Sequence, residues 1–388
     1  MPIINRIAEF HDDMKTWRQH IHANPELRFD CHETAAFVVA RLKEFGVDEI
    51  HEGIAESGVV AIINGRGAGP TIGLRADMDA LPMQEVMDHP YKSRHDGKMH
   101  ACGHDGHTTM LLGAARYLAE TRNFSGRVAL IFQPAEEGGG GGQVMCQAGI
   151  MDDFDISQVY GVHNVPGHPL GQFLANSGPV LAAADTFEIH IKGQGGHGAM
   201  PEAANDPVVV AVQIAAAIQT ISSRNTSALD NLVISITQIH SGTTDNIIPA
   251  EAFVGGTVRT LTKEVQAMVG RRMEEICAGI GTAFGVEVVF DFEYGYPPTV
   301  NHPEQTDFAV KVARGISGDE NVIDDCPPVM GAEDFAYMLE KRPGAYLSIG
   351  QGEGASLHHP AYDFNDELSP IGASYFVKLV ETAQPLTA

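Results

Sequence analysis

The stretch VALIFQPAEEGGGG, residues 128–141, joins an apolar run to two adjacent glutamates and a run of glycines. Five consecutive apolar residues, 128–132, followed by proline and glycine, are typical of a strand that is buried on both faces of a sheet. Glu136 and Glu137 then stand just beyond the carboxyl end of that strand. Because sites in open α/β sheets form at this end of the strands, the stretch predicts both a buried strand and a candidate site.

Similar apolar runs occur on both sides of this stretch, and helical patterns separate them. The predicted strands cover residues 58–64, 71–75, 158–162 and 345–349, and the predicted helices cover residues 7–23, 33–45, 108–120 and 370–382. Apolar strands that alternate with helices predict an α/β fold with a mainly parallel sheet that is covered on both faces.

Polar clusters follow several of these predicted strands. Residues 76–79 (ADMD) follow the strand 71–75, His163 follows the strand 158–162, and a glycine-rich loop leads from the strand 345–349 to His358. A further cluster, HACGHD at residues 100–105, opens the helix predicted from residue 108. Since the carboxyl ends of parallel strands meet at one edge of a sheet, these clusters are expected to converge in one crevice.

The pattern changes between residues 182 and 295. Strands at 186–192, 232–239, 252–260 and 286–294 alternate there with helices at 207–222 and 263–284. The order βαββαβ is that of a ferredoxin-like α+β domain. We therefore expect residues 1–181 and 296–388 to form one domain, with residues 182–295 inserted as a second.

Length, charge and cysteine content argue against several classes of protein. The chain has 388 residues, which favours two domains, and a formal net charge of −25, which argues against a nucleic-acid partner. Five scattered cysteines argue against a disulfide framework. The first residues lack the layout of a signal peptide, and no apolar run looks long enough to span a bilayer. These features predict a cytoplasmic protein without a membrane partner.

The residue types in the polar clusters point to metal binding. Cysteine, histidine and glutamate are ligands of zinc and its neighbours, and the single glycine between Cys102 and His104 lets a tight turn aim both side chains inward. Of Glu136 and Glu137, one can bind metal while the other faces substrate. Each cluster taken alone also fits a helix cap or an exposed side chain. Together, with a thiolate that is able to bridge, they favour two ions.

At these residues the sequence resembles the M20 metallopeptidases, and within them the branch of hippurate hydrolases, N-acyl-amino-acid amidohydrolases and auxin-conjugate hydrolases. The matching motifs are RADMDALPM (75–83), MHACGHDGH (99–107), FQPAEEGGGG (132–141), GVHN (161–164), GGHGAMP (195–201) and LHHPAYDFND (357–366). They span nearly the whole chain in the family's order. The resemblance implies a zinc-exopeptidase-like catalytic domain with an inserted lid and dimerisation domain.

The resemblance also implies a role for each motif residue. Glu136 would be the general base and then the general acid, and Asp79 would orient a metal ligand. Cys102 would bridge two divalent ions, and the implied ligand set is Cys102, His104, Glu137, His163 and His358. Mixed sulfur, nitrogen and oxygen ligands suit zinc best, and manganese, cobalt and nickel stay open.

Two positions separate this chain from the wider family. Asp77 stands where the wider family has a histidine ligand, and Cys102 stands where it has a bridging aspartate. Both departures are usual in the hydrolase branch. His358 is followed by a second histidine, His359, and we choose His358 because it follows leucine at the matching place.

Three residues of the inserted domain complete the implied site. His197 would reach across a homodimer to polarise the scissile carbonyl, and Asn246 and Arg259 match positions that contact substrate. Arg259 has a guanidinium suited to a carboxylate. Without the resemblance, Asn246 fits a turn residue and Arg259 an exposed strand residue.

The implied function is hydrolysis of the amide bond of small N-acyl amino acids by a hydroxide that two metal ions activate. The products would be a carboxylic acid and a free amino acid. A metallo-exopeptidase on the same scaffold, acting on dipeptides or as a carboxypeptidase, is the nearest alternative. A binding protein without catalysis is a third reading, which the presence of Glu136 beside all five implied ligands disfavours.

Overall fold

The structure is a computed structural model that describes residues 3–386, and it contains two compact units. The first unit takes residues 3–180, 300–327 and 334–386, and the second takes residues 181–299 and 328–333. The second unit is therefore inserted into the first in the sequence. We describe each unit by itself.

The chain before the insertion supplies most of the first unit. Its elements are α1 (Asn5–Ala8), α2 (His11–Ala23), α3 (His32–Phe45), β1 (Glu49–Ile54), β2 (Gly58–Asn64), β3 (Gly67–Asp77), α4 (His104–Thr121), β4 (Ser125–Gln133), α5 (Gly141–Gln147), α6 (Ile150–Asp153), β5 (Ile156–Val165), β6 (Phe173–Leu174) and β7 (Gly178–Leu181). Helix α4 begins four residues before its predicted start, because His104 already occupies its first turn. Strand β1 was not predicted.

The inserted elements are β8 (Ala183–Lys192), β9 (Gly196–His197), α7 (Pro207–Ile218), α8 (Thr220–Arg224), β10 (Leu232–Ser241), β11 (Ile247–Ile248), β12 (Glu251–Thr260), α9 (Lys263–Phe284) and β13 (Glu287–Tyr296). The chain then continues with β14 (Thr299–Asn301), α10 (Pro303–Ser317), β15 (Val322–Ile323), α11 (Ala336–Lys341), β16 (Gly344–Gly350) and α12 (Ser369–Ala383). Short 3₁₀ helices lie at Pro201–Ala203, Asp319–Asn321 and Asp366–Leu368.

Within the described residues, the first unit is built on an eight-stranded sheet in the order β1-β2-β4-β3-β5-β16-β6-β15. The four central strands β4, β3, β5 and β16 are parallel. Antiparallel pairs join β1 to β2, β2 to β4 and β16 to β6. Strand β2 is buried along nearly its whole length, as expected for a strand that is covered on both faces. The prediction of an α/β fold with a mainly parallel sheet is confirmed.

The parallel register places polar residues of different strands at one edge of the sheet. Asp77 at the end of β3 pairs with Gln133 at the end of β4, and Ser348 of β16 pairs with His163 of β5. The residues that follow β3 and β4 therefore leave the sheet beside each other.

The second unit has a four-stranded antiparallel sheet in the order β10-β12-β8-β13. With α7 following β8 and α9 following β12, this is the ferredoxin-like arrangement. Buried and non-buried residues alternate along β8, so that one face of the strand enters an apolar core shared with both helices. The opposite face of the strand is mainly exposed.

The second unit comprises residues 181–299 and 328–333 in the structure, whereas the predicted inserted domain comprises residues 182–295. Residues 328–333 join it because the Ala182 amide donates to the Gly331 carbonyl at 2.8 Å and Leu181 forms a bridge with Val329. These contacts connect segments almost 150 residues apart, which a local sequence pattern does not reveal.

One helical stretch among the described residues, Pro207–Arg224, is long and apolar enough to cross a membrane by length and composition alone. This stretch was not identified from the sequence, and a single helix of this kind does not indicate a membrane span, because helices that pack on a core meet the same criteria. Five of its residues, Val210, Ala211, Ile214, Ile218 and Ile221, are buried in the core of the second unit. Packing against the sheet accounts for the apolar character of these five residues.

The close approach of α4 to the segment after β16 gives a stability prediction. A Cβ on Gly106 would lie 2.2 Å from the Phe364 ring, whereas a Cβ on Gly315 of α10 would meet no atom within 4 Å. We expect Gly106→Ala to lower the free energy of unfolding by roughly 1–3 kcal/mol through overpacking. The matched variant Gly315→Ala is expected to raise it by up to about 1 kcal/mol through helix propensity. Urea unfolding of both variants measures the difference, and equal effects would contradict the packing argument.

Candidate metal centre

Five predicted ligands come together at the edge of the sheet in the first unit. The ligand atoms of Cys102, His104 and His163 lie within 4.8 Å of one another, and so do those of Cys102, Glu137 and His358. Cys102 belongs to both groups. The arrangement therefore offers two three-residue donor sets that share one sulfur atom.

Cys102 and His104 are aimed inward by the turn that begins α4. Gly103 between them has a left-handed backbone, with φ of 95°. A Cβ on Gly103 would lie 2.1 Å from Asn164 Oδ1 and 2.7 Å from the Tyr362 hydroxyl. Only glycine fits this position, because both the backbone angle and the available space exclude a side chain.

Hydrogen bonds determine which imidazole nitrogen of two histidines faces the other ligands. His104 Nδ1 lies 2.8 Å from the carbonyl oxygen of Asp79, and His163 Nδ1 lies 2.7 Å from the carbonyl oxygen of Asn164. A carbonyl can only accept, so each Nδ1 carries a proton and each Nε2 is the nitrogen through which a neutral ring would bind metal. His163 Nε2 lies 3.4 Å from Cys102 Sγ. Burial lowers the pKa of His163 to about 3, so this ring is neutral, as a metal ligand must be.

The two glutamates are held by Asp79 through their backbone. The Asp79 carboxylate accepts the Glu136 amide at 2.9 Å and the Glu137 amide at 3.0 Å. The preceding residue, Ala135, has a left-handed backbone with φ of 59°, which turns the chain sharply after β4. Asp79 was expected to orient a ligand. In the structure its carboxylate orients the glutamate turn, and its carbonyl contacts His104.

His358 enters the group from an irregular segment after β16. Its amide donates to the Ala101 carbonyl at 2.8 Å, and its Nε2 lies 3.2 Å from Glu137 Oε1. The hydrogen bond with the Glu137 carboxylate raises the pKa of His358. The neighbouring His359 instead accepts the Ala361 amide at Nδ1, within its own turn. Of the two adjacent histidines, His358 is therefore the one placed beside Glu137.

The residues present fit a pair of divalent ions. His104 Nε2 is buried without a hydrogen-bond partner among residues 3–386, although it lies 3.7 Å from Asp77 Oδ2 and 3.9 Å from Glu137 Oε1. A buried nitrogen without a partner is costly unless it binds something. Burial and the Glu137 charge raise the pKa of the Cys102 thiol well above its ordinary value, so metal binding must displace its proton. A soft sulfur with imidazole and carboxylate donors suits zinc and its neighbours.

The buried network of hydrogen bonds that lies next to these ligands was not predicted from the sequence. Asp77 binds Arg75 Nη1 at 2.6 Å and His107 Nδ1 at 2.6 Å, and His107 Nε2 lies 2.7 Å from Asn164 Oδ1. Burial opposes ionisation of Asp77, but the charges of Arg75 and the two nearby histidines hold its pKa well below its usual range. Asp77 also forms a possible donor group with His104 and His107. The spacing of the histidines in HACGHDGH was the feature of the sequence that pointed to this hydrogen-bond network.

The second unit contains the remaining predicted site residues. His197 in β9 is exposed, pairs with Ile247 of β11, and accepts the Ala199 amide at Nδ1. Asn246 lies next to it, because its carbonyl accepts the Gly198 amide at 2.8 Å. Arg259 lies apart from them on β12, partly buried.

Arg259 is held by its own strand. Its Nη1 donates to the Thr257 hydroxyl and to the Val258 carbonyl. Thr257 in turn donates to the Asp185 carbonyl at 2.9 Å. The guanidinium is therefore fixed at one nitrogen, while Nε and Nη2 bond to no residue that the structure describes.

Comparisons with known proteins place this chain in one family. A family model described as peptidase family M20/M25/M40 matches residues 73–382. A hippurate hydrolase of Campylobacter jejuni is 41% identical over 379 residues, which is 98% of each chain. Thermostable carboxypeptidase 2 of Saccharolobus solfataricus is 42% identical over 351 residues, 89% of this chain and 88% of the relative. A crystal structure of the Bacillus subtilis YXEP protein, described as a dinuclear metal binding peptidase, has a TM-score of 0.86 at 34% identity, covering 97% and 98%.

Sharing of one sulfur between two donor sets predicts a particular pattern of metal loss. We expect Cys102→Ala to weaken binding of both ions, because each loses a ligand, whereas His163→Ala weakens binding of one. Cys146→Ala is the matched control, since Cys146 is a free cysteine outside both sets. Metal content after dialysis, measured by mass spectrometry, distinguishes these cases. Equal stoichiometry in Cys102→Ala and the parent would rule out sharing.

Proposed function

The chain belongs to peptidase family M20/M25/M40 and is an amidohydrolase, and from this premise we propose that it hydrolyses N-acyl amino acids. The products are a carboxylic acid and a free amino acid. The family resemblance inferred from the motifs is confirmed. Hippurate-like substrates are favoured because the hippurate hydrolase relative matches over 98% of both chains.

One observation carries the proposal: the two donor sets share Cys102, and the Glu136 carboxylate lies beside them, close to His104 and Glu137. Glu136 Oε2 is 4.0 Å from His104 Nε2, and its side chain is 9% exposed. A carboxylate in this position would be close enough to exchange a proton with a water that is held by ions bound to the two donor sets.

Two divalent ions bound there, with zinc the best match to the ligands, would lower the pKa of a water and polarise the amide carbonyl. Glu136 takes the proton of the attacking water and later returns it to the leaving nitrogen. Asp79 fixes the backbone of Glu136 by accepting its amide, so the side chain starts from a defined position beside the two donor sets. Glu136 itself is buried, which limits the bulk water around its carboxylate.

The second unit supplies the proposed substrate contacts. The Ala199 amide occupies Nδ1 of His197, so neutral His197 carries its proton on Nε2, where it can donate to the carbonyl oxygen in the transition state. The free guanidinium nitrogens of Arg259 suit the carboxylate of the amino acid. Asn246, next to His197, is the proposed third contact.

We further propose that the enzyme is a homodimer in which His197 acts on the partner's substrate. Support comes from three exposed valines on α7, Val208, Val209 and Val212, which are 39%, 45% and 55% exposed. Strand β10 is also an edge of its sheet, and long open edges favour pairing with another chain. The five free cysteines support the cytoplasm as the site of action.

A metallo-exopeptidase is the second candidate, because a carboxypeptidase relative is 42% identical over 89% of this chain. A substrate panel on the metal-loaded enzyme separates the two. We expect kcat/KM for N-benzoylglycine and N-acetyl amino acids to exceed that for unblocked dipeptides by at least about tenfold, or about 1.4 kcal/mol of transition-state binding. The reverse order would favour the exopeptidase, and no turnover of either class would contradict the proposed function.

The proton-transfer role of Glu136 is tested by Glu136→Gln. This variant keeps the size of the side chain but removes the base, so we expect kcat to fall by roughly 10²–10⁴ while two ions stay bound. Glu44→Gln, an exposed carboxylate on α3, is the control and should retain parent activity. Stopped-time hydrolysis assays together with metal analysis provide the measurement. Parent-like turnover in Glu136→Gln would show that another group moves the proton.

A further inference from the structure

The fully buried Arg18 of α2 is the centre of an ion-pair cluster in the first unit, and the carboxylates of this cluster, Asp366 and Asp363, are partly exposed. Arg18 Nε and Nη2 donate to the two carboxylate oxygens of Asp366 at 2.6 and 3.0 Å, and Nη1 donates to Asp363 at 3.0 Å. The Arg18 side chain is 0% exposed. A planar fork that binds one carboxylate with two hydrogen bonds fixes both its distance and its direction.

Of the two carboxylates that Arg18 holds, Asp363 belongs to the segment that carries His358, and Asp366 follows that segment directly. This segment runs through residues 351–365, from the end of β16 to the 3₁₀ helix Asp366–Leu368, and its backbone is irregular. His358 lies near its middle with a left-handed backbone, φ 60°. A non-glycine residue keeps this conformation only where the surroundings impose it.

Several contacts hold this segment, among them those of the buried Tyr362 hydroxyl, which accepts the Asn164 side-chain amide at 2.7 Å and donates to Gln351 Oε1 at 3.1 Å. The His358 amide donates to Ala101, and the Pro360 carbonyl accepts the Val86 amide at 3.0 Å. Beyond Pro360, the charged anchors are Asp363 and Asp366, both bound to Arg18. Asp363 also accepts the Tyr91 hydroxyl at 2.7 Å, and Asp366 also accepts the Gln19 side-chain amide at 3.0 Å. Arg18 therefore closes the C-terminal end of the turn that presents His358.

We propose that Arg18 is a positioning residue for His358, and thereby for one ion of the proposed pair. This inference rests on the proposed function. The other set is less dependent on Arg18: His104 lies in α4 and bonds to the Asp79 carbonyl, and His163 lies in β5 and bonds to the Asn164 carbonyl. Arg18 Nη1 does approach Asp105, next to His104, but only at 3.8 Å.

An effect that is limited to one of the two ions distinguishes a positioning role of Arg18 from general stabilisation of the fold. Loss of the Arg18 fork should weaken the ion that is bound by Cys102, Glu137 and His358, and leave the ion bound by the other set in place. Changes to groups that orient metal ligands typically cost 10–100-fold in metal affinity. A merely structural role would weaken both ions or neither.

The experiment titrates metal-free enzyme with Co²⁺ and follows both stoichiometry and the near-ultraviolet thiolate-to-cobalt absorption. Arg18→Lys keeps the charge and removes the fork, and Asp366→Asn removes one carboxylate while Asp363 still pairs with Arg18. We expect both variants to bind a first ion with parent affinity and unchanged thiolate absorption, and a second ion about 10–100-fold more weakly. His358→Ala provides the reference pattern for loss of that second ion.

Asp13→Asn is the matched control, since Asp13 is an exposed residue of the same helix that pairs with Arg116 at 2.7 Å. It should bind both ions as the parent does. Circular dichroism establishes that each variant is folded, and Asp366→Asn decides the matter where Arg18→Lys does not fold. Parent-like binding of both ions, or equal weakening of both, overturns the inference. A parent that binds fewer than two Co²⁺ ions instead contradicts the proposed metal pair.

Discussion

The parallel pairing of β4, β3, β5 and β16 is the constraint on which the candidate centre depends. It brings the carboxyl ends of these strands to one edge, where Asp77 and Gln133 pair and His163 lies opposite Ser348. Strand pairing therefore brings together residues that are far apart in the sequence. The apolar interior of the strands stabilises the sheet, and the polar residues are confined to the ends.

Hydrogen bonds to backbone groups then give the site its chemical character. Carbonyl oxygens of Asp79 and Asn164 bind the Nδ1 protons of His104 and His163, so both Nε2 atoms face inward as donors. The Asp79 carboxylate holds the amides of both glutamates. One short segment thus orients an imidazole through its carbonyl and a glutamate pair through its side chain, which couples the proposed proton carrier to a proposed ligand.

The ligands differ in how firmly the fold holds them. His104 and His163 belong to a helix and a strand, whereas His358 lies in an irregular segment and has a left-handed backbone. The buried Arg18 fork lies at the end of this segment. A charged pair in the interior costs desolvation energy, and positioning of a ligand is a physical reason for the chain to retain it.

Much about this protein was determined by local sequence. Apolar runs and glycines located the strands, the order βαββαβ identified the ferredoxin-like unit, and the residue types at strand ends indicated metal binding, because periodicity and donor chemistry are properties of short segments. The family motifs then implied which of these residues are the ligands. Tertiary structure alone decided the rest. It joined residues 328–333 to the second unit, turned the Asp79 carboxylate toward two backbone amides, and buried Arg18 against Asp363 and Asp366. These outcomes depend on hydrogen bonds and ion pairs between distant segments, and such pairings exist only once the sheet has brought the segments together.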